Sequence, residues 1–262
     1  MVKKVLMCPP KYFSIAYEIN PWMNTSNQVD TNQACREWEK LTENYKRLGI
    51  EVKLIEPNRD LPDLVFTANA GLVYKNIFFP SNFRFPERQP ERQVFKGWFK
   101  SEGYRILELP KSLTFEGAGD ALFCGDKLFL GYGFRSVKGV ADFLSEYIKG
   151  LKIISLGLSN PYFYHLDTCL SPLPGGHFIY YPDAFDDQTR ITLEKLGGFE
   201  ISEELCINYG CNLVFIGNTT VTSYSDKSLE EVCNTLKLKI KDLKMTEFIK
   251  SGGGVRCLTL FL

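Results

Sequence analysis

The sequence predicts an α/β fold made of a repeated unit, two strands followed by a helix and a further strand, set out radially like a propeller rather than as one open sheet. Three observations point there. Strand-pair, helix and strand patterns return about every 50 residues, the spacing of a repeat architecture. No strand pattern runs into a Gly-x-Gly-x-x-Gly helix start or a Gly-Lys-Ser/Thr phosphate loop, as a doubly wound nucleotide fold would. No Pro-, Gly- or Ser-rich linker divides the chain, so residues 1–262 are expected to form a single domain. The period lies in the pattern, since the letters themselves do not repeat.

In order, Lys4–Met7 reads as a strand ended by Pro9 and Pro10. After an irregular aromatic stretch, residues 31–48 carry a helical pattern that Asp30 is placed to cap and Gly49 to close. Residues 51–55 read as a strand, and 64–74 with 77–79 as two buried strands joined by a short turn. The unit returns as a helix over 91–101, a strand over 104–109 and a hairpin of 121–124 with 127–130 around Gly125 and Asp126. A helix over 140–148 and a strand over 152–156 follow, then strands on either side of 172–176 and a helix over 186–196. The remainder offers strands at 213–216 and 219–223, a helix at 229–236, and strands at 237–240 and 255–260.

Composition narrows the functions. Lys plus Arg and Asp plus Glu each number 31, and no basic block exists to neutralise phosphates, which argues against nucleic acid and for a small-molecule partner. The apolar stretch near Met1 is too short for a signal peptide and nothing later approaches a membrane span, so a cytoplasmic location is expected. Eight cysteines spread through such a chain read as reduced thiols. A metal site is not expected: there is no Cys-x-x-Cys, and His165 with Cys169 has a ligand-like spacing without a matching second pair.

The run Gly252-Gly253-Gly254-Val255-Arg256-Cys257 is the first candidate for chemistry. Three glycines permit backbone conformations closed to other residues, and a cysteine entering a buried strand after such a loop is well held for nucleophilic attack. The plainer reading is a helix-ending loop and a cysteine serving as a small hydrophobe. With two histidines in the chain, His165 in Tyr-His-Leu-Asp-Thr is the natural proton shuttle, unless it is a buried ring satisfied by backbone. Glu116 with Asp120, in Phe-Glu-Gly-Ala-Gly-Asp, and Asp63 are carboxylates suited to gripping a planar guanidinium, or else turn formers.

Taken in order, Asp63 and Asn69, Glu116 and Asp120, His165 and Asp167, then Cys257 resemble the amidinotransferase and arginine deiminase superfamily over nearly the whole chain. The resemblance implies a five-bladed α/β propeller (pentein) of ββαβ modules, in keeping with the period above. It implies that Cys257 is the nucleophile, His165 the general acid and base, and Glu116 and Asp167 carboxylates for the guanidinium. Arg88 and Arg135 resemble arginines that hold a substrate α-carboxylate, with Arg84 and Arg92 as alternatives to the first, and Ser251 lies where a backbone carbonyl meets the α-amino group. Asp63, Asp120 and Asn20 complete the implied binding set. No metal or organic cofactor is implied.

One departure matters: Asn69 stands where deiminases and dimethylargininases usually carry an aspartate. Together with Ile19-Asn20-Pro21-Trp22-Met23, it is most similar to the arginine dihydrolases, which convert arginine to ornithine, carbon dioxide and two ammonia molecules. An amide both donates and accepts, so it suits a neutral ureido group held for a second attack. Dimethylarginine dimethylaminohydrolase or arginine deiminase chemistry is the alternative, followed by amidino transfer or a silent binding protein.

Overall fold

A computed structural model describes residues 4–262. Strand β1 (Lys4–Met7) leads through a long loop to helix α1 (Thr31–Arg47), and β2 (Glu51–Leu54) pairs with β1 in parallel. Asp30 caps α1 by accepting the Gln33 amide at 3.0 Å, as its position predicts. The helix buries Ala34, Leu41 and Tyr45 on one face.

Four further units repeat one plan. Strands β3 (Gly71–Tyr74) and β4 (Ile77–Pro80) form an antiparallel pair, and helix α2 (Glu91–Ser101) returns the chain to β5 (Arg105–Ile106), parallel to β4. The next unit is β6 (Ala121–Cys124), β7 (Lys127–Tyr132), α3 (Val140–Tyr147) and β8 (Lys152–Gly157). Then come β9 (Leu170–Pro172), β10 (Phe178–Tyr180), α4 (Asp187–Lys195) and β11 (Phe199–Glu200).

A short helix α5 (Glu203–Ile207) precedes the unit β12 (Val214–Ile216), β13 (Thr219–Thr222), α6 (Lys227–Thr235) and β14 (Lys239–Asp242). After α7 (Thr246–Ile249), strand β15 (Leu260–Phe261) returns antiparallel to β1, with Leu6 opposite Leu260. The result is five three-stranded sheets, the first sharing strands from both ends of the described chain. Helices cover the sheets with apolar contacts such as the Phe78–Phe99 stack, both rings fully buried. Among the described residues no helix is long and apolar enough to cross a membrane.

Two sequence expectations need correcting. Residues 64–70 do not extend into β3; Pro62–Val65 and Thr67–Ala70 are tight 3-10 turns, and the strand begins at Gly71. Their apolar run resembles a buried strand, but their hydrogen bonds go to other parts of the chain: Ala68 donates to the Cys257 carbonyl at 3.1 Å, and the Thr67 hydroxyl lies 2.9 Å from Leu6 O and 3.0 Å from Leu258 O. Residues 255–258 likewise turn rather than extend, with Thr259 N bonded to Arg256 O at 2.9 Å, so only β15 remains of the expected strand.

Thr67 is therefore a buried tie between β1 and the segment bearing Cys257. Thr67→Val keeps its shape and removes the one hydroxyl proton that the two buried carbonyls share, so it is expected to cost about 1–3 kcal/mol. Chemical denaturation measures this; a loss below about 0.5 kcal/mol would show that the tie is dispensable.

Candidate active site

In all five units the segment just before the antiparallel pair turns instead of extending. Thr67–Ala70 precedes β3, Gly117–Gly119 precedes β6, and Leu166–Thr168 precedes β9. Before β12 the backbone folds sharply, with Tyr209 at φ 58° and Leu213 N bonded to Cys211 O at 2.8 Å, and before β15 lies the glycine run. Units approach closely at these turns. Gly117 has φ +60°, and a Cβ there would lie 2.6–2.8 Å from the Gly71 backbone, so neither the dihedral nor the space admits a side chain.

The turns bring the expected residues to one place. Asn20, Asp63, Asn69, Arg88, Arg135, His165, Ser251 and Cys257 line one narrow cavity. Glu116 and Asp167, fully buried, stand immediately behind its wall.

On one side, the Cys257 thiol donates to Asp167 Oδ2 at 3.5 Å. Burial, reinforced by the Asp167 charge, pushes the thiol well above its ordinary range. Burial likewise raises the Asp167 carboxyl to about 7, against the pull of the Arg256 guanidinium. Asp167 Oδ1 is sealed from solvent with no hydrogen-bond partner, a costly state that a cationic N–H donor would relieve.

Across the cavity, Glu116 Oε2 lies 2.8 Å from His165 Nε2 and accepts from Arg135 Nη1 at 2.9 Å, while Oε1 accepts the Arg84 amide at 3.2 Å. Burial alone would raise this carboxyl, but the Arg135 charge and the His165 contact win and hold it well below the usual carboxylate range. With Nε2 committed to Glu116, the other ring nitrogen of His165 is Nδ1.

Arg88 is clamped by Glu91, Nε to Oε1 and Nη2 to Oε2 both at 2.8 Å, and its Nη1 donates to Asn69 Oδ1 at 3.0 Å. Asp63 accepts from Tyr17 at 3.0 Å on Oδ2 and leaves Oδ1 buried without a partner. Of the three arginines in this region only Arg88 faces the cavity. Arg92 bonds Glu108 at 2.7 Å on the outside, and the Arg84 side chain is exposed. Asn20 Nδ2 donates to Ser251 O at 3.1 Å, so that carbonyl sits at the rim while the Ser251 hydroxyl is unpartnered.

Asp120 is not at the cavity. Its Oδ1 accepts the Leu166 amide at 3.0 Å and holds the turn that presents His165, while its Oδ2 accepts at 2.6 Å from the Ser136 hydroxyl that in turn receives the Glu116 amide. Sequence reasoning passed over Tyr17, Glu91 and Tyr164. Tyr164 stacks against Arg135 at 4.7 Å and donates to the Gly252 carbonyl. Glu91 had a signal in its i+3 spacing from Arg88; Tyr17, 46 positions from Asp63, had none.

The family profile described as N,N dimethylarginine dimethylhydrolase, eukaryotic, matches residues 9–262. The bifunctional arginine dihydrolase/ornithine cyclodeaminase ArgZ of Synechocystis is 40% identical over 264 residues, covering 98% of this chain. The chain spans only 37% of that relative's length. An N(G),N(G)-dimethylarginine dimethylaminohydrolase of Mycobacterium tuberculosis is 35% identical over 98% of this chain and 85% of its own. The crystal structure of the N-terminal domain of ArgZ, a cysteine-to-serine mutant bound to substrate, superposes with TM-score 0.94 at 38% identity, covering 98% of this chain and 97% of that one. The chain belongs to this dimethylarginine dimethylhydrolase family, within the pentein-fold superfamily of amidinotransferases and arginine deiminases.

Proposed function

We propose that this chain is a single guanidino-hydrolase domain that converts arginine and two waters to ornithine, carbon dioxide and two ammonia molecules through covalent adducts on Cys257. The observation that carries the reading is one cavity with a thiol 3.5 Å from a carboxylate on one side and a His165–Glu116 pair on the other. The resemblance to an arginine dihydrolase domain over 98% of the chain supports the substrate. We further propose that the five sheets are the blades of a closed propeller, with the β1–β15 pairing as its clasp.

In this scheme the guanidinium enters between Asp167 and Asp63, whose open Oδ1 atoms take its N–H donors. Arg135 and Arg88 face the α-carboxylate and the Ser251 carbonyl meets the α-amino group. The cation favours the thiolate, which burial otherwise opposes. Cys257 Sγ adds to the guanidinium carbon, His165 Nδ1 delivers a proton to the departing ammonia, and an S-alkylthiouronium remains. His165 then takes a proton from water as it attacks, releasing the thiol and leaving a ureido group. A second cycle expels the second ammonia as a thiocarbamate forms, and its hydrolysis yields a carbamate that loses carbon dioxide.

Asn69 is the residue assigned to the second cycle. It sits between Arg88 and the Glu116 carbonyl, with its amide nitrogen 3.4 Å from the latter, and offers a neutral ureido group a donor as well as an acceptor. Dimethylaminohydrolase chemistry is the second reading, favoured by the family match and by the mycobacterial relative.

Incubation with arginine, dimethylarginine and agmatine, followed by separation of products, distinguishes these. Arginine is expected to yield ornithine with twice as much ammonia, and Asn69→Asp to accumulate citrulline. Wild type that stops at citrulline, or that acts on dimethylarginine alone, excludes the dihydrolase. Cys257→Ser is expected to lower turnover by more than about a thousandfold; retained activity would remove the nucleophile.

A proton balance follows from Asp167. Its carboxyl, raised to about 7 by burial, is protonated below that pH and ionised above it. A guanidinium beside it favours the anion. Arginine binding to Cys257→Ser near neutral pH is therefore expected to release up to about half a proton, none at about pH 9, and none in the Asp167→Asn background. Calorimetry in buffers of different ionisation enthalpy reads this directly, and buffer-independent heats at neutral pH would refute it.

A further inference from the structure

Four hydrogen bonds meet on the side chain of Asn212, a fully buried amide in the turn before β12. Its Nδ2 donates to the Asp167 backbone carbonyl at 2.9 Å and to Cys257 Sγ at 3.2 Å. Its Oδ1 accepts the backbone amides of Arg256 at 2.9 Å and Cys257 at 3.2 Å. An amide has two N–H donors and two lone pairs, and all four are used. Turned the other way, the amide would face N–H groups with N–H groups, so the network fixes which end is nitrogen. The glycine run accommodates this residue, since a Cβ at Gly254 would lie 2.8 Å from Asn212 Oδ1.

The geometry points to Asn212 as a further catalytic residue, one that touches the reacting sulfur, stabilises its negative charge by hydrogen bonding and holds it in register with the His165–Asp167 turn. An N–H aimed at sulfur matters little to a thiol whose proton is already given to Asp167, and much to a thiolate. Burial and the Asp167 charge both oppose that thiolate, and Asn212 is a neutral donor acting against them. When the thiol proton leaves, the bond to Asp167 goes with it and the Asn212 bond remains. Because one nitrogen spans Sγ and the Asp167 carbonyl, it also sets the spacing between the nucleophile and the turn that carries the acid–base histidine. The inference rests on Cys257 as the nucleophile of the proposed reaction.

The test is the rate of Cys257 alkylation by iodoacetamide, without substrate, followed by mass on the peptide that bears it from about pH 6 to about pH 9. Asn212→Asp keeps the acceptor for the two backbone amides and replaces the donor with an oxygen. It is expected to slow alkylation at least tenfold at every pH, displacing the rate profile upward by at least about one unit. The kcat on arginine is expected to fall at least tenfold with KM little changed. A folded Asn212→Asp protein, verified by circular dichroism, with the wild-type alkylation profile overturns the proposal. If that variant does not fold, Asn212→Ser is read instead, and an unchanged profile overturns it equally. Alkylation needs no guanidino substrate, so Cys257→Ser that still turns over arginine would sink the proposed reaction without altering what the profile says of Asn212.

Discussion

The Glu116 carboxylate is the contact on which the centre of this molecule depends. Fully buried, it neutralises Arg135, orients His165 through Nε2 and anchors the Arg84 backbone. An isolated carboxylate there would simply take up a proton. Its partners come from loops of three different units, so the charge is stabilised only when those loops have met. Charge pairing and folding are thereby coupled: the groups that ready the cavity for a cation also fasten one unit to the next.

The same logic separates the two sides of the cavity. Glu116, rich in positive partners, stays ionised, whereas Asp167, poor in them, lies near neutrality, and the neighbouring thiol keeps its proton. Residues behind the wall make this division possible. Glu91 clamps Arg88 with two bonds, and Asp120 and Ser136 brace the turns that bear His165 and Glu116. The cavity is thus lined by matched charges around two carboxylate oxygens, on Asp63 and Asp167, that have no partner among the described residues.

Much of this was legible in the sequence where the signal is local. The Asp30 cap, the Gly125–Asp126 hairpin and the recurrence of strand pair, helix and strand depend on neighbouring residues and were read correctly in kind. Cys257 and His165 were legible because glycines and a scarce histidine mark them. The turns before the strand pairs were not, because an apolar run such as 64–70 has the texture of a strand while its hydrogen bonds lie nearly 200 positions away, at Leu258. Asp120 and Asp63 look alike as acids among glycines and apolar residues; only packing tells a brace from a residue that lines the cavity. Asn212 carries no local mark, since its partners are 44 and 45 positions distant.

The pairing of β1 with β15 joins residues 6 and 260, a contact of very long sequence separation. Such contacts form late, because the entropy of closing so large a loop must be met before the pairing can offset it. Ala68 binds the Cys257 carbonyl and Thr67 the Leu258 carbonyl beside that pairing, so the surroundings of Cys257 depend on it. A chain in which that pairing has not formed therefore lacks the contacts that hold the Cys257 segment in place.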